Sequence, residues 1–342
     1  MSQTIPMSQT IPLPILSRTC LAIAGGLLVV PGLLQASTRL APTISRLSLI
    51  QMTRPLPSCW ESTTPAPSPA TGGDGMVVPN HGFTLTLPNN FTPENFPGAA
   101  QTQVIGINTA GDTVGFYVDQ QGVTHGFQRV GGVSSTIDAP GTAFNQLLGL
   151  NDNGQNTGYS STDLAGATLQ RAFVEKGGSF NYIDGFLPTG SLNDQATDIN
   201  NEGVISGFYM TASVTDGFLL NGTTLTTLSF PGSSFTQALG LNNEGQVVGD
   251  YVDGNGVMHG FLFDGVNYFS IDPPGSTATT INGINDQGQI VGFFVDPGNT
   301  IGFEANPTPE PLTFGFPGLV VLAAGVLRRF VKSSARCPIS QP

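Results

Sequence analysis

The chain has 342 residues, 39% of them hydrophobic and only 10% charged, and Gly (45) with Pro (26) makes up about a fifth of it. That share is turn-rich but stays below the roughly 25–30% that marks low-complexity sequence, so a folded body with many tight turns is expected. Eleven basic side chains against 23 acidic ones give a net charge of −12, and a chain of that sign has no basic patch with which to grip a phosphate backbone, which excludes nucleic acid as a partner.

At the N-terminal end Arg18 precedes an uncharged apolar run, residues 20–34, closed by Gln35-Ala36-Ser37. Charge, apolar stretch and small residue in that order read as a secretory signal over residues 1–36, cut after Ala36. A buried helix is the poorer reading, because it would have to hold Pro31 and the pair Gly25-Gly26. Residues 1–6 are repeated as residues 7–12. Residues 37–80 contain Thr63-Thr64-Pro65-Ala66-Pro67-Ser68-Pro69 and Gly72-Gly73-Asp74-Gly75, which cannot bury an apolar face, so an extended and mobile spacer is expected there. Export would leave Cys59, next to Trp60, as the sole cysteine of the mature chain, since Cys20 lies in the signal and Cys337 in the C-terminal tail. No intramolecular disulfide is then available, and nothing near Cys59 would lower its pKa to make it a nucleophile.

From residue 81 to residue 305 the chain repeats itself. An Ile/Leu-Asn pair followed by a Gly turn recurs at Asn108, Asn151, Asn200, Asn242 and Asn285, at spacings of 43, 49, 42 and 43 residues. A second landmark, His-Gly-Phe or a variant, places Phe83, Phe127, Phe173, Phe218, Phe261 and Phe303 at spacings of 44, 46, 45, 43 and 42. A period near 44 residues with no 3.6-residue apolar pattern inside it matches a four-strand propeller blade better than any two-helix repeat. In the fourth unit, residues 238–241, 246–252, 259–263 and 267–271 read as four strands. They are separated by Asn242-Asn243-Glu244-Gly245, Asp253-Gly254-Asn255-Gly256 and Asp264-Gly265, turns in which Asn and Gly are placed to take positive φ. Five Asn turns against six Phe landmarks argue for five blades, with residues 84–96 donating the missing outer strand of the last one. The predicted fold is therefore all-β, a propeller of about five four-stranded blades between an N-terminal signal helix and a C-terminal transmembrane helix.

These units resemble the HAF-family extracellular repeat, whose pattern stands here as Gly106-Ile107-Asn108, Val114-Gly115-Phe116-Tyr117, His125-Gly126-Phe127 and Ile137-Asp138-Ala139-Pro140-Gly141. It returns as Val248-Gly249-Asp250-Tyr251, His259-Gly260-Phe261 and Ile271-Asp272-Pro273-Pro274-Gly275. Units two and three depart from it, with Arg171-Ala172-Phe173 and Asp216-Gly217-Phe218 in the histidine position. The resemblance implies an exported protein and no catalytic activity.

The residues themselves offer little chemistry. His81, His125 and His259 share one repeat position and so fall on separate blades, where Arg171 and Asp216 replace them in turn, which argues against a metal or acid–base constellation. Residues 81–305 carry 20 acidic and three basic side chains (Arg129, Arg171, Lys176), a net of −17. The acids cluster at turns, as Asp152, Glu202, Glu244, Asp286, Asp119, Asp253 and Asp296, and read as a solvated, turn-stabilising surface rather than a calcium site, since no Asp-x-Asp-x-Asp-Gly loop is present. No Gly-x-Ser-x-Gly, Gly-Lys-Ser/Thr, His-Glu-x-x-His or Cys-x-x-Cys element occurs. No cofactor, no metal and no enzymatic activity are expected. The rival expectation is a secreted polysaccharide-active enzyme in which carboxylates from different blades meet at the axis. A surface that meets ice or a crystalline polymer through runs such as Thr223-Thr224-Leu225-Thr226-Thr227 ranks below both, for lack of a regular array.

Residues 306–342 open with Pro309-Glu310-Pro311, continue with the uncharged stretch 312–327, and end with Arg328, Arg329, Lys332 and Arg336. Sixteen residues rising 1.5 Å each cover about 24 Å, slightly less than the ~30 Å hydrocarbon core, and flanking residues with snorkelling arginines make up the difference. The basic end places the C-terminus in the cytoplasm and the bulk of the chain outside. The order of triplet, apolar helix and Arg pair, over residues 307–332, resembles the PEP-CTERM sorting domain of Gram-negative bacteria. That resemblance implies that Pro309, Glu310 and Pro311 are read by an exosortase after export by the secretion machinery, that the helix is a temporary membrane anchor, and that Arg328 and Arg329 are the stop. The tail of 13 residues after Arg329 is longer than that pattern usually shows. The expected product is an exported repeat protein of the cell envelope or exopolysaccharide matrix, a binding or structural module of a biofilm surface, with exopolysaccharide as the candidate partner.

Overall fold

A computed structural model of the chain describes residues 44–50, 68–72, 80–86, 90–167, 169–297 and 299–307. Four strands come first: β1 (Ile44–Ile50), β2 (Ser68–Gly72), β3 (His81–Thr86) and β4 (Asn90–Pro93). A four-strand meander then repeats. Blade I is β5 (Gln101–Ile107), β6 (Thr113–Val118), β7 (Thr124–Val130) and β8 (Val133–Thr136), and blade II is β9 (Phe144–Leu150), β10 (Asn156–Ser161), β11 (Arg171–Lys176) and β12 (Ser179–Tyr182). Blade III is β13 (Asn193–Ile199), β14 (Ile205–Met210), β15 (Thr215–Asn221) and β16 (Thr224–Leu228), and blade IV is β17 (Thr236–Leu241), β18 (Val247–Val252), β19 (Met258–Phe263) and β20 (Tyr268–Ile271). Blade V is β21 (Ala278–Ile284), β22 (Ile290–Asp296) and β23 (Asn299–Pro307), completed by β1. The chain is thus an all-β propeller with five four-stranded blades, and among the described residues the helical content is one 3-10 turn, Asp184–Phe186.

The strand that completes blade V is not the expected one. Residues 84–96 stay with β3 and β4, which pair with β2 in a separate three-stranded sheet, while β1 runs antiparallel to β23 from Ile44 opposite Pro307 to Ile50 opposite Gly302. Both β1 and β2 fall inside residues 37–80, where composition argued for a spacer. The three-stranded sheet stands between blade V and blade I. Phe83 of β3 packs against Val291 of β22, and on its other side β2 and β3 lie against β5. The buried carboxylate of Glu94 fixes that second contact, accepting hydrogen bonds from Thr84 and Thr113 and pairing with Arg129 at 3.1 Å. The predicted signal and C-terminal helices lie outside the described residues, among which no helix is long and apolar enough to cross a membrane.

The first strand of each blade meets the first strand of the next, β5 to β9, β13, β17 and β21, so these five form the inner wall. They are buried almost end to end, whereas the outer strands β8, β12 and β16 are largely exposed. Each first strand carries one extra residue against its partner: Ile105, Leu148, Thr197, Leu239 and Asn282. Such a bulge sharpens the local twist, which suits a sheet whose inner edge must turn about an axis. The Phe landmarks fill the wedges between blades. Phe127, Phe173, Phe218, Phe261 and Phe303 are at most 1% exposed. Phe173 of blade II reaches Val114 of blade I, Phe218 of blade III reaches Ala172 of blade II, and Phe303 of blade V shares a cluster with Val248 of blade IV.

Candidate functional site

The five landmark asparagines gather around one end of the axis. In each first turn the Asn side-chain oxygen takes backbone N–H groups further along the turn, as Asn151 does from Asn153 and Gln155 at 3.0 Å each and Asn285 does from Gln287 and Gln289 at 3.1 and 3.0 Å. Positive φ falls to the glycines alone, Gly111, Gly154, Gly203, Gly245 and Gly288, and not to the asparagines. This frees the Asn amide nitrogen to reach the next blade. Asn151 donates to the carbonyl of Asn200 at 2.9 Å, Asn200 to that of Asn242 at 3.3 Å, and Asn242 to that of Asn285 at 3.0 Å.

A second tier lies one residue on and nearer solvent. Thr109 donates its N–H and its hydroxyl to Asp152 at 3.0 and 2.7 Å; the N–H of Asp152 donates to Asn201, that of Asn201 to Asn243, and that of Asn243 to Asp286. The amide groups of Asn201 and Asn243 answer with bonds to the second oxygens of Asp152 and Asp286. Burial works against the charge on Asp152, but the bonds from Thr109 and Asn201 outweigh it and hold its pKa below the usual carboxylate range. The tiers bind blades I to V across four junctions. They surround a cavity of about 120 Å3 lined by Asn108, Asn151, Asn200, Asn242, Asn285 and their neighbours. That is smaller than the roughly 300–1,000 Å3 of clefts that take drug-sized ligands.

The histidine position lies at the opposite end of the strands, and each of its polar occupants finds a partner 13 or 14 residues on, just past the next strand; blade V has Ile301 there instead. His125 Nδ1 lies 2.6 Å from Asp138 and its Nε2 3.4 Å from Asp119; His259 repeats this with Asp272 at 2.8 Å and Asp253 at 3.6 Å. Arg171 places two nitrogens on Asp184, Asp216 accepts from Ser229, and His81 meets Asn95. Asp138 also takes the N–H of Gly126 at 3.1 Å, so the pair clamps the third strand to the segment leaving the fourth. Burial is the largest single effect on His125 and opposes its charged form, but the bonds and charges of Asp138 and Asp119 together override it and raise the pKa; in His259 the bond to Asp272 is the largest effect and raises it likewise. Tyr117 and Tyr251 stack on these rings at 5.0 and 5.2 Å, and Arg171 sits 4.0 Å over Tyr182. The histidines are thus held apart, His125 in blade I, His259 in blade IV and His81 in the three-stranded sheet. Among the described residues no three His, Cys, Asp or Glu side chains converge as a metal ion would require.

Two buried carboxylates carry no motif signature. Asp198 stands where the other first strands have Gly106, Gly149, Gly240 and Gly283, and accepts N–H bonds from Ile199 and Leu241, both at 2.8 Å. Asp250 stands where the other second strands have Phe116, Tyr159, Phe208 and Phe293. Alignment of the repeats on one another is the signal that exposes both. Pro309, Glu310, Pro311, Arg328 and Arg329 lie outside the described residues.

No protein-family model matches the chain, and no curated protein does. Solved structures similar to it include a triple-arginine mutant of AofleA from Arthrobotrys oligospora, 11% identical with a TM-score of 0.46 over 74% of this chain and 87% of that one. TolB from Acinetobacter baumannii is 10% identical with a TM-score of 0.48, over 74% of this chain and 64% of that one. A point mutant of the Aleuria aurantia lectin in complex with α-methyl-L-fucoside is 10% identical with a TM-score of 0.43, over 75% of this chain and 96% of that one.

Proposed function

We propose that the chain is an exported, non-catalytic propeller, delivered through Pro309-Glu310-Pro311 by an exosortase to the cell envelope or exopolysaccharide matrix, where it serves as a binding or structural module. The observation that carries the non-catalytic part is the use made of the recurring polar residues. The landmark asparagines and the Asp/Asn tier above them bind blade to blade, and the His, Arg and Asp residues of the third strands clamp each blade on itself. Groups so committed have geometry suited to holding a wheel rigid, and the cavity they surround is smaller than the clefts that take drug-sized ligands. Ligands would then be met by the outer surface, whose strongly acidic character favours neutral or cation-bridged polysaccharide over anionic polymers.

Delivery rests on the sequence order of triplet, apolar stretch and arginines. The test is fractionation of cells making the wild-type chain or a variant with Pro309, Glu310 and Pro311 all replaced by Ala. The wild type is expected in the envelope or matrix fraction at reduced mass and the variant in the inner membrane at full length. Identical distribution and mass would sink the sorting assignment.

A further inference from the structure

Asp250 replaces the aromatic residue that the other second strands carry at this position, Phe116, Tyr159, Phe208 and Phe293. It has no exposed surface, and its Oδ2 accepts a hydrogen bond from Thr280 Oγ1, on the inner strand of blade V, at 3.0 Å. Its Oδ1 is buried without a partner. Directly opposite in register on β17 stands Gln237, 6% exposed, whose Oε1 is likewise buried without a partner. Register partners project from the same face of an antiparallel pair with their Cβ atoms about 5 Å apart. Two orphaned oxygens therefore share one rung of the sheet. An ionised carboxylate can only accept, as the amide oxygen can only accept, whereas a protonated one carries a donor.

No titratable group faces the pair from the strands packed against it, and the other unpartnered side-chain amide nearby is that of the bulge residue Asn282 on β21. Three strands pack against β18: β17, β19 and β21. Neither β17 nor β21 holds a titratable residue, and the one on β19, His259, is paired in register with Tyr251, so it projects from the other face, toward Asp253 and Asp272. On Asp250's own face β19 presents Met258, whose sulfur lies 3.6 Å from Thr280 Oγ1. Asp198 is the useful contrast: equally buried, it accepts a backbone N–H bond on each of its oxygens, so neither is orphaned. Burial raises the pKa of Asp250 to about 7, and the bond from Thr280 offsets this only in part.

We propose that Asp250 is held as the neutral acid and donates its proton from Oδ1 to Gln237 Oε1, so that one proton latches β17 and β18 of blade IV to β21 of blade V. Loss of that proton leaves a buried charge facing an amide oxygen, and the junction loosens as pH rises through neutrality.

The test compares the full chain with its Asp250→Asn variant, which keeps the shape and a donor but cannot ionise, by thermal unfolding from about pH 5 to about pH 9. The wild-type midpoint is expected to fall across the alkaline half of that range while the variant falls less, leaving the variant the more stable at the alkaline end. Parallel profiles would overturn the proposal. Should the variant not fold, carbon-13 NMR of the wild-type chain decides: the Asp250 carboxyl carbon should titrate near 7, and a midpoint in the ordinary range near 4 refutes the latch.

Discussion

An asparagine at the first turn of each blade does two jobs that sequence displays unequally. Its role in the turn was readable, because Asn-x-x-Gly is a local pattern. Its reach to the next blade was not, although the repeat spacing contains it: Asn151 bonds Asn200, 49 residues on, and Asn242 bonds Asn285, 43 residues on. Asn242→Ala removes that bond together with the turn bond from Gln246, and the expected cost is about 1–3 kcal/mol in urea unfolding of the full chain. Asn242→Asp keeps the accepting oxygen but sets a buried charge against the Asn285 carbonyl and Gln246 Oε1, so it should cost at least as much near neutral pH and recover toward acid. The histidines make a second residue-scale prediction. His125 and His259 have pKa values raised by their Asp partners, so their contribution is complete below the unfolded histidine value and is lost as pH rises through the folded one. Replacing both with Gln should flatten that part of the stability profile; an unchanged slope between about pH 6 and 8 would contradict it.

At the scale of the strand, the recurring glycine of the second strand has a cause that could not be read from the sequence. A Cβ added at Gly249 would stand 1.9 Å from the carbonyl oxygen of Gln237, and one at Gly115 or Gly158 would meet Gln103 or Gln146 at 1.9 and 2.0 Å. The bulge in each first strand lies beside this crowded site. Its extra residue is Ile, Leu, Thr, Leu or Asn in successive blades, so no residue type announces it. Gly249→Ala must displace backbone, and about 3 kcal/mol or more of destabilisation is expected, seen as a lowered thermal midpoint with no new ligand or pH effect. The strands of the fourth unit were legible to within two residues because alternation and turn signals agree there. Strand β1 was not, because Ile44–Ile50 sits among proline-rich neighbours and pairs with a segment at the far end of the repeat region, Gly302 to Pro307.

Taken whole, the wheel carries a net charge of −17 over residues 81–305 and is held together by groups that favour acid. Asp194, Asp198 and Asp250, raised by burial to about 6, about 7 and about 7, stabilise fully below the unfolded carboxylate value and lose that contribution as pH climbs through the folded ones. Asp119, Asp152, Asp253 and Asp264 act oppositely: their lowered values give stability that is present above the unfolded pKa and lost as pH falls through the folded one. Thermal stability should therefore peak at about pH 4–6 and decline toward pH 8, with added salt recovering part of the decline by screening the acidic surface. A profile that rises steadily from acid to alkaline would contradict this account.

The seam in blade V gives the molecule a direction. Because the outermost strand arrives from the N-terminal side, the chain can be trimmed from its other end back to Pro307 without giving up a ladder among the described residues. A cut at Pro309-Glu310-Pro311 would release a finished wheel, whereas a leader removed beyond residue 43 would erode the strand that seals it. Stop codons placed after Pro307 and start sites placed after Ile50 should show this asymmetry directly, the first leaving protease resistance intact and the second abolishing it.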